Sequence, residues 1–318
     1  MSLVQKLIVS GTVAVLGLTG IVCGGNDNLP QTSSPIAYVT SIPTVSPSPT
    51  PSPSPVPTLS PTPLAPEFLA LESQLTQKVR DYETNYGMNI SVAVTDFQSS
   101  QSISVDGNEP HEPGCVINQF PVYLVVSDAQ AGKLNLGDMD GYIKNSVNRS
   151  NPDSTAAFLS YYYGSESDGV LAVQKWMDDH SINGVYEHVP THPPRTNNML
   201  TALSTNKVLT MLAIGELFNP ELTGYVINDV MTYSNFLYAI PSGVDADERV
   251  AHKIGYFWKP EGWVHNDSGI VYFPGQDGNE KAFMISIFTS GGAGKIYPFA
   301  TIAQDLTRTA NDYFRGAY

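Results

Sequence analysis

Twelve of the 38 residues from Leu29 to Pro66 are proline, fourteen are Ser or Thr, and none is charged. Such a stretch has almost nothing to bury and a stiffened backbone, so it reads as an extended, polyproline-like spacer rather than part of a core. It takes half of the chain's 24 prolines out of the folded part. Before it, Lys6 is followed by seventeen uncharged residues from Leu7 to Cys23. That length suits the apolar core of an export signal better than a membrane span. Residues 1–25 therefore read as an export signal or a membrane or lipid anchor, 26–66 as a disordered linker, and 67–318 as one folded domain. Cys23 is a candidate for lipidation; a cleaved signal and an uncleaved anchor are the alternatives. The expected location is outside the cytoplasm, secreted or attached to the cell envelope.

The balance of 16 Lys+Arg against 30 Asp+Glu gives a formal charge of −14. Without a basic block the chain lacks the footprint that phosphate neutralisation requires, which argues against nucleic-acid binding. Residues 67–318 contain a single cysteine, Cys115. No disulfide can form within that stretch, so a hydrophobic core must hold it together.

The hydrophobic pattern sets the order of elements. Leu71, Leu75, Val79 and Tyr82 recur at helical spacing up to about Asn85. Ile90, Val92 and Val94 alternate with small polar residues, and Ile103 and Val105 resume the alternation after a short turn, which predicts a hairpin. A mostly helical middle section follows, its first helix starting near Cys115 and stopping at Gly132. Strand character returns over 249–257, 269–273 and 282–289. A last helix carries Phe299, Ile302, Ala303, Leu306, Ala310 and Tyr313 on one face. The expected fold is α+β: an antiparallel sheet of about five strands, flanked by the N- and C-terminal helices, with an all-helical subdomain beside it.

That order is also the order of the penicillin-recognising serine hydrolases, and short motifs agree with it. Gly114-Cys115-Val116-Ile117-Asn118, with Ala131-Gly132-Lys133-Leu134 downstream, resembles the helix that bears Ser-x-x-Lys in class A β-lactamases. Ser150-Asn151-Pro152 resembles the Ser-Asp-Asn loop. Lys253-Ile254-Gly255 resembles the Lys-Thr-Gly strand, and Asn266 to Val271 the strand after it. Arg195, Asn198 and Thr201 sit where relatives begin a helix after the Ω-loop. The resemblance spans 67–318. It implies a cleft in which a helix-borne hydroxyl attacks a lactam or peptide carbonyl while a Lys one turn later takes its proton. By the same resemblance Ser150 relays protons, Lys253 attracts the substrate carboxylate, Ile254 and Gly255 line the substrate strand, and the amides of Cys115 and Tyr256 form the oxyanion hole.

The departures from the family pattern matter as much. In the gapless register Cys115 holds the nucleophile position and Asn118 the Lys position. A shift by one, which aligns Pro121 with the family's frequent Pro, substitutes Val116 and Gln119. Ser-x-x-Lys is absent either way, and an amide such as that of Asn118 cannot act as a general base. Ile254 lacks the Thr hydroxyl, and Pro152 lacks a donor side chain. Glu187 is the acid available in the Ω-loop stretch.

The reading is a pseudoenzyme that binds cell-wall peptides, a β-lactam or a protein partner. The alternatives are a hydrolase or acyl-transfer enzyme with Cys115 as nucleophile, and a purely structural envelope module. No cofactor or metal is expected: His188, His192 and His252 lack metal-ligand spacing, and Asp138 and Asp140 read as a solvated turn. Tyr161, Tyr162, Tyr163 and Trp176 read as helix packing, with a sugar platform as the alternative.

Overall fold

The computed structural model describes residues 64–190, 197–232, 234–292 and 298–318. Helix α1 (Pro66–Tyr86) starts on a proline, which suits a first turn that needs no N–H donor, and ends at Gly87 with a left-handed φ of 64°. Its buried stripe is Phe68, Leu71, Leu75 and Val79, one residue per turn. Strands β1 (Met88–Asp96) and β2 (Ser102–Val105) form the expected hairpin, pairing Val92 with Val105 and Thr95 with Ser102.

The helical section holds α2 (Gln119–Gln130), α3 (Asp140–Asn148), α4 (Pro152–Tyr163), α5 (Glu166–Asp179), α6 (Ala202–Ala213) and α7 (Pro220–Gly224), the last running into a π-helical stretch at Tyr225–Met231. A small ladder, β3 (Gly184–Val185) with β4 (Met199–Leu200), stands before α6. Then come β5 (Arg249–Lys259), β6 (Gly262–Pro274), β7 (Glu280–Gly292) and the terminal α8 (Phe299–Ala317). The strands lie in the order β2-β1-β7-β6-β5, all neighbours antiparallel. β5 is therefore an edge strand.

The central strand β7 shows why the core is double. Phe283, Ile285 and Ile287 bury one face against α1 and α8, while Ala282, Met284 and Phe288 bury the other against the helical subdomain. Burial on both faces explains its nearly unbroken apolar sequence. In α8 the buried stripe closes with Phe314, and Tyr313 is only half-buried. β6 begins seven residues before the expected Gly269, because its first half carries buried polar residues such as Asn266, Asp267 and Ser268 that do not read as strand. Among the described residues no helix is long and apolar enough to cross a membrane.

Candidate functional site

The segment before α2 is a single 3₁₀ turn, Gly114–Asn118, rather than the start of the α-helix itself. It lies against β5, and Gly255 is what allows the approach. A Cβ placed there would come within 2.5 Å of Cys115 N, Val116 N and Pro113 O. Asn266 braces the same region: its Nδ2 donates to Glu112 O at 2.8 Å, and its Oδ1 accepts from Thr289 N at 2.8 Å. Lys259 and Glu112 add an ion pair across the entrance to the turn.

Lys253 and Ser150 meet, as their motif positions imply. Lys253 Nζ is in hydrogen-bond contact with Ser150 Oγ and donates to Ile254 O at 2.6 Å. Ser150 Oγ also lies 3.5 Å from Ile254 O as a donor. This covers a carbonyl of the edge strand, while the Ile254 side chain faces away into the core under α8. Each of the two polar side chains belongs to a residue only 1% exposed. Burial pulls the Lys253 amine down to about 7, partly offset by the charge of Asp267. Ser150 takes a positive φ of 54°, a conformation a non-glycine residue holds only when its surroundings enforce it.

Cys115 does not join this pair as a free thiol. Its sulfur is in a disulfide, and the residue is fully buried in a small cluster with Phe257 and Val264. Phe257 is on the same strand face as Lys253 but two alternations further along, with Gly255 between them. The chain's other cysteine, Cys23, lies outside the described residues.

Asn118 and Gln119 part company. Asn118 Nδ2 donates to Ser146 O on α3 at 3.5 Å, and its Oδ1, fully buried, finds no hydrogen-bond partner among the described residues. Gln119 Nε2 instead donates to Ser268 Oγ at 3.3 Å, and Ser268 is the cross-strand partner of Lys253. The Gln119 carbonyl oxygen accepts from Tyr123 OH at 2.8 Å. Gln119, not Asn118, thus reaches the strand surface that bears Lys253. Pro121 was the signal for that shift; Tyr123 belongs to no motif, and the 266–271 motif that holds Ser268 does not mark its contact with Gln119.

Asn118→Leu tests the unpaired amide. An unsatisfied buried polar group costs about 1–3 kcal/mol, and the bond to Ser146 is long. The melting temperature is expected to hold or rise in thermal unfolding; a marked fall would mean that the amide is paired after all.

The remaining candidates have other duties. Tyr256 is half-buried in an aromatic cluster, its ring 5.2 Å from His265 and 6.4 Å from Phe236, and burial pushes its phenol up. His252 Nδ1 bonds Asp267 at 2.9 Å, and Asp267 also accepts from Ile240 N at 3.1 Å, an arrangement the sequence does not reveal. The Glu187 side chain is exposed; its backbone N–H donates to Asn198 Oδ1 at 2.8 Å. Asn198 thereby shapes the loop, and Thr201 caps α6 in a reciprocal pair with Ser204. His188 is buried, its Nδ1 3.1 Å from Val189 O. His192 and Arg195 lie outside the described residues. Asp140 accepts from Tyr225 OH and pairs with Lys144, while Asp138 accepts from Asn135. Trp176 is buried and stacks on His180 at 4.0 Å. Tyr162 and Tyr163 donate to Asn135 O and Asp128, which leaves only Tyr161 of that group largely exposed.

The comparisons agree with this architecture. An acyl-enzyme complex of a PBP-A mutant with penicillin G superposes with a TM-score of 0.65 at 14% identity, covering 80% of this chain and 100% of that one. A β-lactamase from Chitinophaga pinensis gives 0.63 at 15%, covering 75% and 98%. The TLA-1 extended-spectrum β-lactamase gives 0.65 at 15%, covering 77% and 99%. These share this chain's fold, the α+β fold of the β-lactamases and penicillin-binding proteins. Residues 168–314, a little under half of the chain, match the model of the β-lactamase enzyme family. No curated protein matches it.

Proposed function

We propose that this chain is an exported β-lactamase-like domain that has lost the helix-borne hydrolytic machinery and binds cell-wall peptides or β-lactams without class A turnover. One observation carries the reading. Where the family places its nucleophile and base, this chain offers either a disulfide sulfur with Asn118 or an aliphatic Val116 with Gln119. The contact of Gln119 with the partner of Lys253 supports the second register, in which the oxyanion amides are those of Val116 and Tyr256. Neither pair supplies an attacking group and a general base. The uncharged run from Leu7 to Cys23 and the Pro-rich segment after it support export, with that segment as a stalk from the envelope. Lys253 remains at the family's strand position, in hydrogen-bond contact with Ser150.

Intact mass spectrometry after incubation with penicillin G tests this, together with calorimetric titration of a muropeptide. The expected result is saturable muropeptide binding and no penicilloyl adduct on the 114–119 segment. An adduct there, or hydrolysis of nitrocefin at a rate typical of class A enzymes, overturns the reading. A companion measurement concerns the sulfur: the guanidinium-unfolded chain should leave Cys115 unalkylated by iodoacetamide until a reductant is added. Alkylation without reductant would return the thiol to candidacy.

A further inference from the structure

We propose that Ser150 is itself a nucleophile, with Lys253 as its base, and that it accepts an acyl group from small activated carboxylic esters. This goes beyond the preceding reading, which concerns the helix-borne position and non-covalent binding.

Three observations support it. First, hydroxyl and amine are already in contact, and the amine is oriented by a third group, Ile254 O at 2.6 Å. Nucleophile, base and orienting acceptor within hydrogen-bond reach is the geometry that activates a Ser hydroxyl, and a Ser–Lys pair is a known variant of it. Second, Ser150 is locked rather than loose. It holds its left-handed φ of 54° one residue before Asn151, the N-cap of the twelve-residue α4, a conformation its surroundings must enforce. Third, burial favours the neutral amine that a base must be: Lys253 is shifted down to about 7, and its hydrogen-bond partners among the described residues are a hydroxyl and a carbonyl rather than a carboxylate.

The step balances without a further reactant. Ser150 Oγ attacks the ester carbonyl carbon while its proton passes to the lone pair of Lys253 Nζ. The tetrahedral adduct collapses, the bond to the alcohol oxygen breaks, and the departing alkoxide or phenolate takes a proton from the Lys253 ammonium. The products are an O-acyl Ser150 and a free alcohol. Each group belongs to a residue only 1% exposed, so only small acyl donors are expected to reach them.

The probe is p-nitrophenyl acetate with the full-length protein under non-reducing conditions. The expected outcome is one acetyl per chain, mapped by peptide sequencing to Ser150 and removed by neutral hydroxylamine as an ester. Ser150→Ala should lower the nitrophenol burst at least tenfold with an unchanged circular dichroism spectrum, and Lys253→Met should do likewise. Hydroxylamine-stable acetylation of Lys253, acetylation confined to surface lysines, or an undiminished burst in folded Ser150→Ala each overturns the proposal. Penicillin plays no part, so this result stands or falls apart from the absence of an adduct on 114–119.

Discussion

Gly255→Ala is expected to destabilise the domain by about 3 kcal/mol or more, at or beyond the upper end of ordinary overpacking. The added methyl would meet Cys115 N, Val116 N and Pro113 O at 2.5 Å. All three are backbone atoms, so no rotamer change relieves the clash. Either the 3₁₀ turn Gly114–Asn118 withdraws from β5 or the strand bends. For a domain of this size such a loss lowers the melting temperature by roughly 6–12 °C. Thermal unfolding followed by circular dichroism reads it. A variant within a degree or two of wild type would show that the turn and the strand are not tightly apposed.

The second large effect is on stability against pH. The folded Lys253 amine sits at about 7, against 10.5 for the unconstrained group. Between those values the unfolded chain binds a proton there that the folded chain does not, so stability rises with pH across the interval. Below about pH 7 both states carry the proton and the contribution is flat. The slope is up to ~1.4 kcal/mol per pH unit for one proton. Chemical denaturation between about pH 7 and pH 9.5 captures it, before unfolded tyrosines begin to lose their protons near ~10. Lys253→Met should remove the slope and leave the neutral-pH stability level with or above wild type, because an apolar side chain of similar length occupies the space without a charge to desolvate. A wild-type curve that is level over this range would mean that Lys253 stays ionised in the folded protein.

Legibility varied along the chain with how local the physics is. The terminal helices, the first hairpin and the five-stranded sheet follow from periodicity, since a buried stripe or an alternating face is written into each segment separately. The meeting of Ser150 and Lys253 was legible through their motif positions, although 103 residues separate them. β6 was half-legible: its apolar end reads as strand, whereas Asn266, Asp267 and Ser268 are polar residues buried because distant groups satisfy them. The same limit applied to Gln119 and Asn118, neighbours whose roles depend on which one meets Ser268. It applied to Cys115 as well, since a buried thiol, a nucleophile and half of a disulfide are the same letter.

From the sequence alone came the expected division into a proline-rich spacer and one foldable stretch, the α+β class, and the resemblance to the β-lactamase fold. These depend on composition and on spacing along one chain. Tertiary structure decided that the 3₁₀ turn packs against Gly255, that the cysteine sulfur is already bonded, and that a serine and a buried lysine meet. Those outcomes depend on side chains converging from separate elements, where burial and partner choice set the chemistry and no single segment carries the information.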